Sequence, residues 1–247
     1  MKVIPSHTWT PQADLRGESL IFRLLEGFNL SNPCVALHTL NLHGGKQQRW
    51  HELDFLIICK RAIVGVEVKG GRVSCSDGTW YVHRDDDSIA YSKKISPFVQ
   101  VSVGLDHFRT SWLRDRFGKT FEDCLFVKVA ILCENHRPDP EHLQPGPELP
   151  DKFTIYKEDL SFDRLKEKLN QAIDEESRRS PIRNPRELSV DEVNDLKAAI
   201  RPNIDKSYPS RTAQDYARSL QDELTTEQYK YADFIDGVHR YILDGGA

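Results

Sequence analysis

The stretch from Glu52 to Gly71, ELDFLIICKRAIVGVEVKGG, constrains this chain more than any other. Phe55 to Cys59 and Ala62 to Val68 are apolar runs of strand length, the second rich in β-branched residues. Only Lys60-Arg61 separates them, and a connection that short makes a hairpin. Side chains alternate along a strand, so Ile63, Gly65, Glu67 and Lys69 share one face and Val64, Val66 and Val68 the other. An acid and a lysine therefore end a strand that otherwise reads as core, with Asp54 on the strand beside it. A buried, unpaired charge costs several kcal/mol, at least roughly. These three groups must be paired, bind a metal or line an opening. A solvent-facing strand end is the plainer account of Glu67 and Lys69, since a surface pair contributes about 0–1 kcal/mol. Asp54 on a second internal-looking strand argues against it.

A chain of 247 residues can bury one core of ordinary size plus an appendage. Its net charge of −4 gives no overall basic field, so any nucleic-acid contact must come from a local patch. Up to Pro150 the acidic and basic residues balance at 18 each, and the acidic excess follows that point. The five cysteines are odd in number and include no C-x-x-C pair, which argues against a disulfide framework and a thiolate zinc site. No apolar run has the length of a signal peptide or a membrane span. The expectation is a soluble, cytoplasmic protein with no membrane partner.

Apolar spacing predicts a helix over Asp14 to Phe28 with Glu18 near its start, then a strand from Val35 to Leu42. After the hairpin of the opening stretch, Arg72 to Arg84 reads as a second hairpin, and Arg84 to Asp87 as a solvated bend. Pro97 starts a helix whose stripe is Phe98, Val101, Leu105, Phe108 and Trp112, with Gln100 off the stripe. Lys93, Lys94, Arg109, Arg114, Arg116 and Lys119 gather around it, either as a solvated face or as a phosphate-attracting patch. Leu125 to Cys133 reads as a central strand, Lys152 to Tyr156 as a shorter one and Asp159 to Glu176 as a helix. The fold class is α/β, a mixed sheet flanked by helices, with a small helical C-terminal extension. Residues 1–177 form the first domain, 178–188 (rich in Arg and Pro) a linker, and 189–247 a further segment. Ser189 to Glu192 opens a helix there with a capping box, and a helix from Thr212 to Leu224 follows. A second capping box, Thr225 to Gln228, precedes a further helix and a short strand, Val238 to Leu243. His38, His43 and His51 show no defensible ligand spacing, and Trp50 and Trp112 read as core fillers.

Phosphodiester hydrolysis needs a hard cation at the phosphoryl oxygen and stabilisation of the leaving oxygen. Magnesium uses one or two protein carboxylates. Asp54 and Glu67 would supply these, with the Val68 carbonyl as a third oxygen. Glu18 could reach the metal through water, and Lys69 could hold the attacking water or stabilise the transition state.

Gly17-Glu18 opening a helix, Glu52-Leu53-Asp54, Val66-Glu67-Val68-Lys69-Gly70, Gly71-Arg72-Val73 leading to Trp80, and Pro97 to Gln100 form an ordered set. That set resembles the NERD (nuclease-related) domain of the PD-(D/E)XK restriction-endonuclease-like superfamily. The resemblance runs from Asp14 to Trp112, with Ser96 where the family usually has Asn. It implies DNA as substrate, a site of Glu18, Asp54, Glu67, Lys69 and Gln100, and Mg²⁺ or Mn²⁺ as cofactor. Leu224 to Gln228, followed by a strand ending Gly245-Gly246-Ala247, is similar to the start of superfamily-one DNA helicases, which implies Gln228 as an adenine contact. The phosphate-binding lysine and its hydroxyl neighbour are absent, so no ATPase activity is expected. The expected function is metal-dependent DNA cleavage, with a helicase domain in the same or a neighbouring polypeptide. The alternative is a DNA-binding or regulatory module that does not cut.

Overall fold

The computed structural model describes residues 1–4, 16–43, 50–138 and 146–201. A central sheet of six strands has the order β1-β2-β3-β4-β8-β9. Its strands are β1 (Lys2–Ile4), β2 (Cys34–His43), β3 (Trp50–Cys59), β4 (Ala62–Lys69), β8 (Phe126–Leu132) and β9 (Thr154–Ile155). The hairpin expected at Lys60-Arg61 is present, and β3 pairs antiparallel with β4 from Phe55↔Val66 to Cys59↔Ala62. β2 also runs antiparallel to β3, whereas β1 on β2, β4 on β8 and β8 on β9 are parallel. The α/β fold, with a mixed sheet between helices, is the one the sequence pattern predicts.

Covering both faces explains why β3 and β4 lack the apolar-polar alternation of a half-exposed sheet. On one side lie α1 (Arg16–Glu26) and α4 (Phe162–Arg179), whose Ile21, Leu25, Leu165 and Leu169 pack on Val64, Val66 and Ile57. On the other lie α2 (Pro97–His107) and α5 (Val190–Ile200), whose Val101, Leu105, Val193 and Leu196 belong with Ile63, Leu56 and Ile58. Gly65 gives α2 its close approach, because a Cβ there would lie 3.2 Å from both Leu105 and Val101. α2 continues through a π-helical turn, Phe108–Leu113, into the short α3 (Arg114–Phe117). Residues Lys157–Asp159 form a 3-10 turn, and β9 is only two residues long, shorter than the Lys152 to Tyr156 expectation.

A second sheet holds β5 (Val73–Ser76), β6 (Thr79–His83) and β7 (Ile89–Lys93) in that order. The first two form the expected second hairpin. The third, which the exposed side chains of Ile89 and Tyr91 hide from a burial pattern, was not expected. Val73 and Val82 anchor this sheet on Leu132 and Tyr156.

Where composition predicts a linker, the chain is largely exposed and is tied down at Arg186 and Leu188. Arg186 reaches Asp123, Glu192 and the Thr120 carbonyl, and its backbone bridges to Cys124. Leu188, Val193 and Leu196 are buried against the α2 side of the sheet. The predicted capping box is formed, Ser189 Oγ accepting from the Glu192 amide while the Glu192 carboxylate accepts from the Ser189 amide. A single arginine with several acceptors suffices to hold such a segment. Residues 1–201 form one compact unit. The expected elements after Arg201, and Gln228, lie outside the described residues.

A fragment ending at residue 177 leaves the apolar surface beneath Leu188, Val193 and Leu196 uncovered. Losing three buried aliphatic side chains removes roughly 1.5–3 kcal/mol each. Thermal denaturation of residues 1–201 and 1–177 is therefore expected to show a cooperative transition for the longer fragment and a markedly lower midpoint, or none, for the shorter.

Candidate active site

A kink shared by two strands sets the site. The β2–β3 ladder pairs His38 with Phe55 and Leu40 with Leu53, and omits Thr39 and Asp54 between them. Thr39 has φ 51°, a left-handed conformation rare for a β-branched residue. Leu37 and Leu40 consequently face the same side of the sheet, as do Leu53 and Leu56. At this break the Asp54 carboxylate turns towards β4 and accepts a hydrogen bond from the Val68 amide at 2.6 Å. The Arg201 guanidinium, at the end of α5, donates to the His38 and Thr39 carbonyls at 2.9 and 2.6 Å, securing the kink from the other face.

Glu67 and Lys69 sit beside Asp54, buried and joined in an ion pair. Lys69 Nζ also donates to Gln100 Oε1 at 3.2 Å, and Lys93 Nζ donates to the same oxygen at 2.8 Å. Gln100 Nε2 donates to the Ile95 carbonyl, which fixes the amide with its oxygen towards the lysines. Ser96 makes this possible. It caps α2, its Oγ accepting from the Val99 amide at 3.0 Å, and so puts Gln100 on the first turn.

Glu18 arrives from the first turn of α1. Gly17 permits the approach, since a Cβ there would fall 2.5 Å from Gly70 Cα. The Glu18 carboxylate lies 2.8 Å from His38 Nε2. His38 is buried, stacked on Phe55 with ring centroids 4.7 Å apart and edge-on to Phe22.

Glu18, Asp54, Glu67, Lys69 and Lys93 line a cleft of about 680 Å³. Glu18, Glu52, Asp54, Glu67, Asp85 and Asp86 line it against Lys69, Arg84 and Lys93, so its charge is negative. Burial first, then the neighbouring Glu67 and Glu18, push the Asp54 carboxyl well above the ordinary carboxylate range, against the opposing pull of Lys69 and the Val68 amide. Burial opposes the charge on Lys69, but Glu67, Tyr91 and Asp54 outweigh it and raise its pKa, which keeps it an ammonium. Lys93 is shifted downward by burial and by Lys69.

The donor set suits a hard divalent cation. It offers the carboxylates of Asp54 and Glu67, the carbonyl of Val68 next to Glu67, and more acidic than basic side chains along the cleft. Among the described residues no three His, Cys, Asp or Glu side chains surround one point.

Of the residues singled out in the sequence, Glu18, Asp54, Glu67, Val68 and Lys69 line one cleft, and Gln100 binds two of its lysines. The basic patch does not gather there as a unit. Lys93 lines the cleft, while the exposed Lys94 does not. Arg109 packs over Phe126 at 5.1 Å beside a separate cleft of about 300 Å³, and Arg116 packs over Trp112 at 4.9 Å. Helical spacing put these arginines near Gln100, but each stacks on an aromatic ring instead. Sequence reading passed over three features. His38 was one of three histidines without ligand spacing, and its role is to hold Glu18. The Arg84 to Asp87 bend, read as solvated, supplies Arg84, Asp85 and Asp86 to the cleft. Tyr91 faces the cleft from a strand that no pattern announced.

Residues 13–132 match the family model of NERD, the nuclease-related domain. The match takes in each of Glu18, Asp54, Glu67, Lys69 and Gln100. No curated protein and no solved structure matches it. No helix among the described residues is long and apolar enough to cross a membrane.

A carboxyl group whose pKa is raised in the folded state binds more protons there than in the unfolded chain. Between the unfolded value, about 3.9, and the raised one, stability falls as pH rises. In metal-free protein, Asp54→Asn keeps an acceptor for the Val68 amide but removes the charge. It is expected to raise the melting temperature at pH 8 by about 2–4 °C, the shift for each kcal/mol in a domain of this size. The gain should shrink as pH is lowered towards 5, as read by calorimetry of both proteins across that range.

Proposed function

We propose that the cleft hydrolyses DNA phosphodiester bonds with Mg²⁺ or Mn²⁺, as a PD-(D/E)XK-type nuclease. The observation that carries this reading is the meeting of Asp54, Glu67 and Lys69 from two strands in one acidic cleft, with Gln100 of α2 bonded to Lys69, inside the stretch that matches a nuclease-related domain. Asp54, Glu67 and the Val68 carbonyl would hold the cation, with Glu18 contributing through water and held in place by His38. When bound, such a cation draws charge from the phosphoryl oxygen and lowers the pKa of water.

In hydrolysis a water oxygen bonds to phosphorus, one P–O ester bond breaks and the departing oxygen gains a proton. Charge grows on the phosphoryl oxygens meanwhile. Lys69, kept as an ammonium, is a donor for that charge and no general base. Gln100 accepts from Lys69 and Lys93 together, which holds two like charges on one side of the cleft despite their repulsion. Lys93 extends the positive ground outward to an adjacent phosphate.

The helicase association rests on the sequence from Leu224 to Ala247. In this reading the chain is the nuclease part of a nuclease–helicase system, with the helicase domain in the same or a neighbouring polypeptide. A module that binds DNA without cutting remains the competing reading, because Glu67 is already committed to Lys69.

Incubation of plasmid and single-stranded DNA with the protein separates these readings. Cleavage is expected with Mg²⁺ or Mn²⁺ and is expected to stop with a chelator. Asp54→Ala and Lys69→Ala should each reduce the rate by 100-fold or more, in the range of removing one preorganised donor, about 10²–10³. Undiminished cutting by both variants would remove the assignment, and salt-dependent binding without cutting would favour the binding module.

A further inference from the structure

The cleft has a second wall that bond cleavage does not use. Tyr91 and Lys93 alternate along β7 and share a face, and Tyr91 stands opposite Val82. Val82 is buried and anchors the small sheet on the main domain. The anchoring continues at Gly71, where a Cβ would lie 2.1 Å from the His83 carbonyl, so no other residue admits this backbone approach. Gly71 follows Lys69 by two residues, and this contact therefore ties the small sheet to the strand bearing Glu67 and Lys69.

Tyr91 is 42% exposed in spite of that packing. Its ring lies 5.8 Å from Lys69 Nζ and 5.7 Å from Lys93 Nζ. An aromatic ring open to a cleft and flanked by two ammonium groups offers a stacking surface and phosphate contacts side by side. Those are the two components of single-strand binding sites. The cleft's size and charge point the same way. At about 680 Å³ it falls within the range of sites that enclose a small molecule. The acids Glu52, Asp85 and Asp86 also line it. Duplex DNA carries about one charge per 1.7 Å of its axis, so a stiff double helix brings many phosphates towards those acids at once. An unpaired nucleotide can turn its base to Tyr91 and its phosphate to the lysines.

We infer that the cleft takes single-stranded DNA, Tyr91 stacking on an unpaired base while Lys93 and Lys69 hold the adjoining phosphates. The inference rests on the nuclease reading of the same cleft and names its substrate form. Tyr91 is a binding residue here, and its ring is the part that acts.

The test uses the full chain, in Mg²⁺, with a short fluorescent single strand and the same sequence as a blunt duplex, both with phosphorothioate linkages to prevent cutting. Fluorescence anisotropy is expected to show about tenfold or greater preference for the single strand. Tyr91→Ala should weaken single-strand binding roughly 5- to 150-fold and alter duplex binding little. Tyr91→Phe, which keeps the ring, should recover most of the loss. Equal affinity for the two forms, an unchanged Tyr91→Ala or a Tyr91→Phe as weak as Tyr91→Ala would overturn the inference. Cutting assays on unmodified strands keep the two readings apart. Selective, Tyr91-dependent binding without cutting would remove the nuclease reading alone. Cutting that ignores strand form and Tyr91 would remove this inference alone.

Discussion

The hydrogen bond from the Val68 amide to the Asp54 carboxylate stands where backbone pairing between β3 and β4 has ended. A strand amide in the middle of a protein must find an acceptor, because leaving it unpaired costs about 1–3 kcal/mol. Here the acceptor is a side chain. Its use draws Asp54 out of the alternating pattern and to the side of Glu67. Thr39 supplies the matching distortion on β2, and Arg201 holds the two carbonyls that the distortion exposes. One kink thus joins three parts of the molecule: the acid of β3, the His38–Glu18 pair and the end of α5.

The charges are organised around that kink. Glu67 and Lys69 share a strand face and neutralise each other, as a buried acid and ammonium must, since removing one partner of such a pair costs about 3–5 kcal/mol. Asp54 has no cation of its own, and Glu67 and Glu18 oppose its ionisation. A protein built only for stability would place an apolar residue there. A cleft that pays this electrostatic cost is suited to a ligand that supplies positive charge, and the oxygen donors favour a hard cation over a soft one.

Much of this was legible in the sequence, and the reasons differ from residue to residue. The faces of β4 followed from alternation alone, and Gly65 meeting Val101 and Leu105 agrees with the helical stripe of α2. Glu18, Asp54, Glu67, Lys69 and Gln100 stand out as candidates because each is a charged or amide side chain that interrupts an apolar pattern. His38 does not, since its signal is a long-range pairing with Glu18 made beside Phe55 and Phe22. β7 escaped because it is an edge strand with four of its five residues exposed, so burial imposes no period on it. The Arg178 to Glu187 segment has the composition of a loop, and what composition does not show is that Arg186 has Asp123 and Glu192 to bind. Arg109 and Arg116 lay within helical reach of the site by sequence and were diverted by Phe126 and Trp112.

The central claim is that Asp54 and Glu67 together hold a divalent cation. Anomalous diffraction from crystals soaked in Mn²⁺ tests it most directly. The account predicts a manganese peak in the cleft in contact with both carboxylates, and its loss in Asp54→Asn. A wild-type cleft that stays free of manganese at millimolar concentration, or a peak that persists unchanged in the variant, would contradict it.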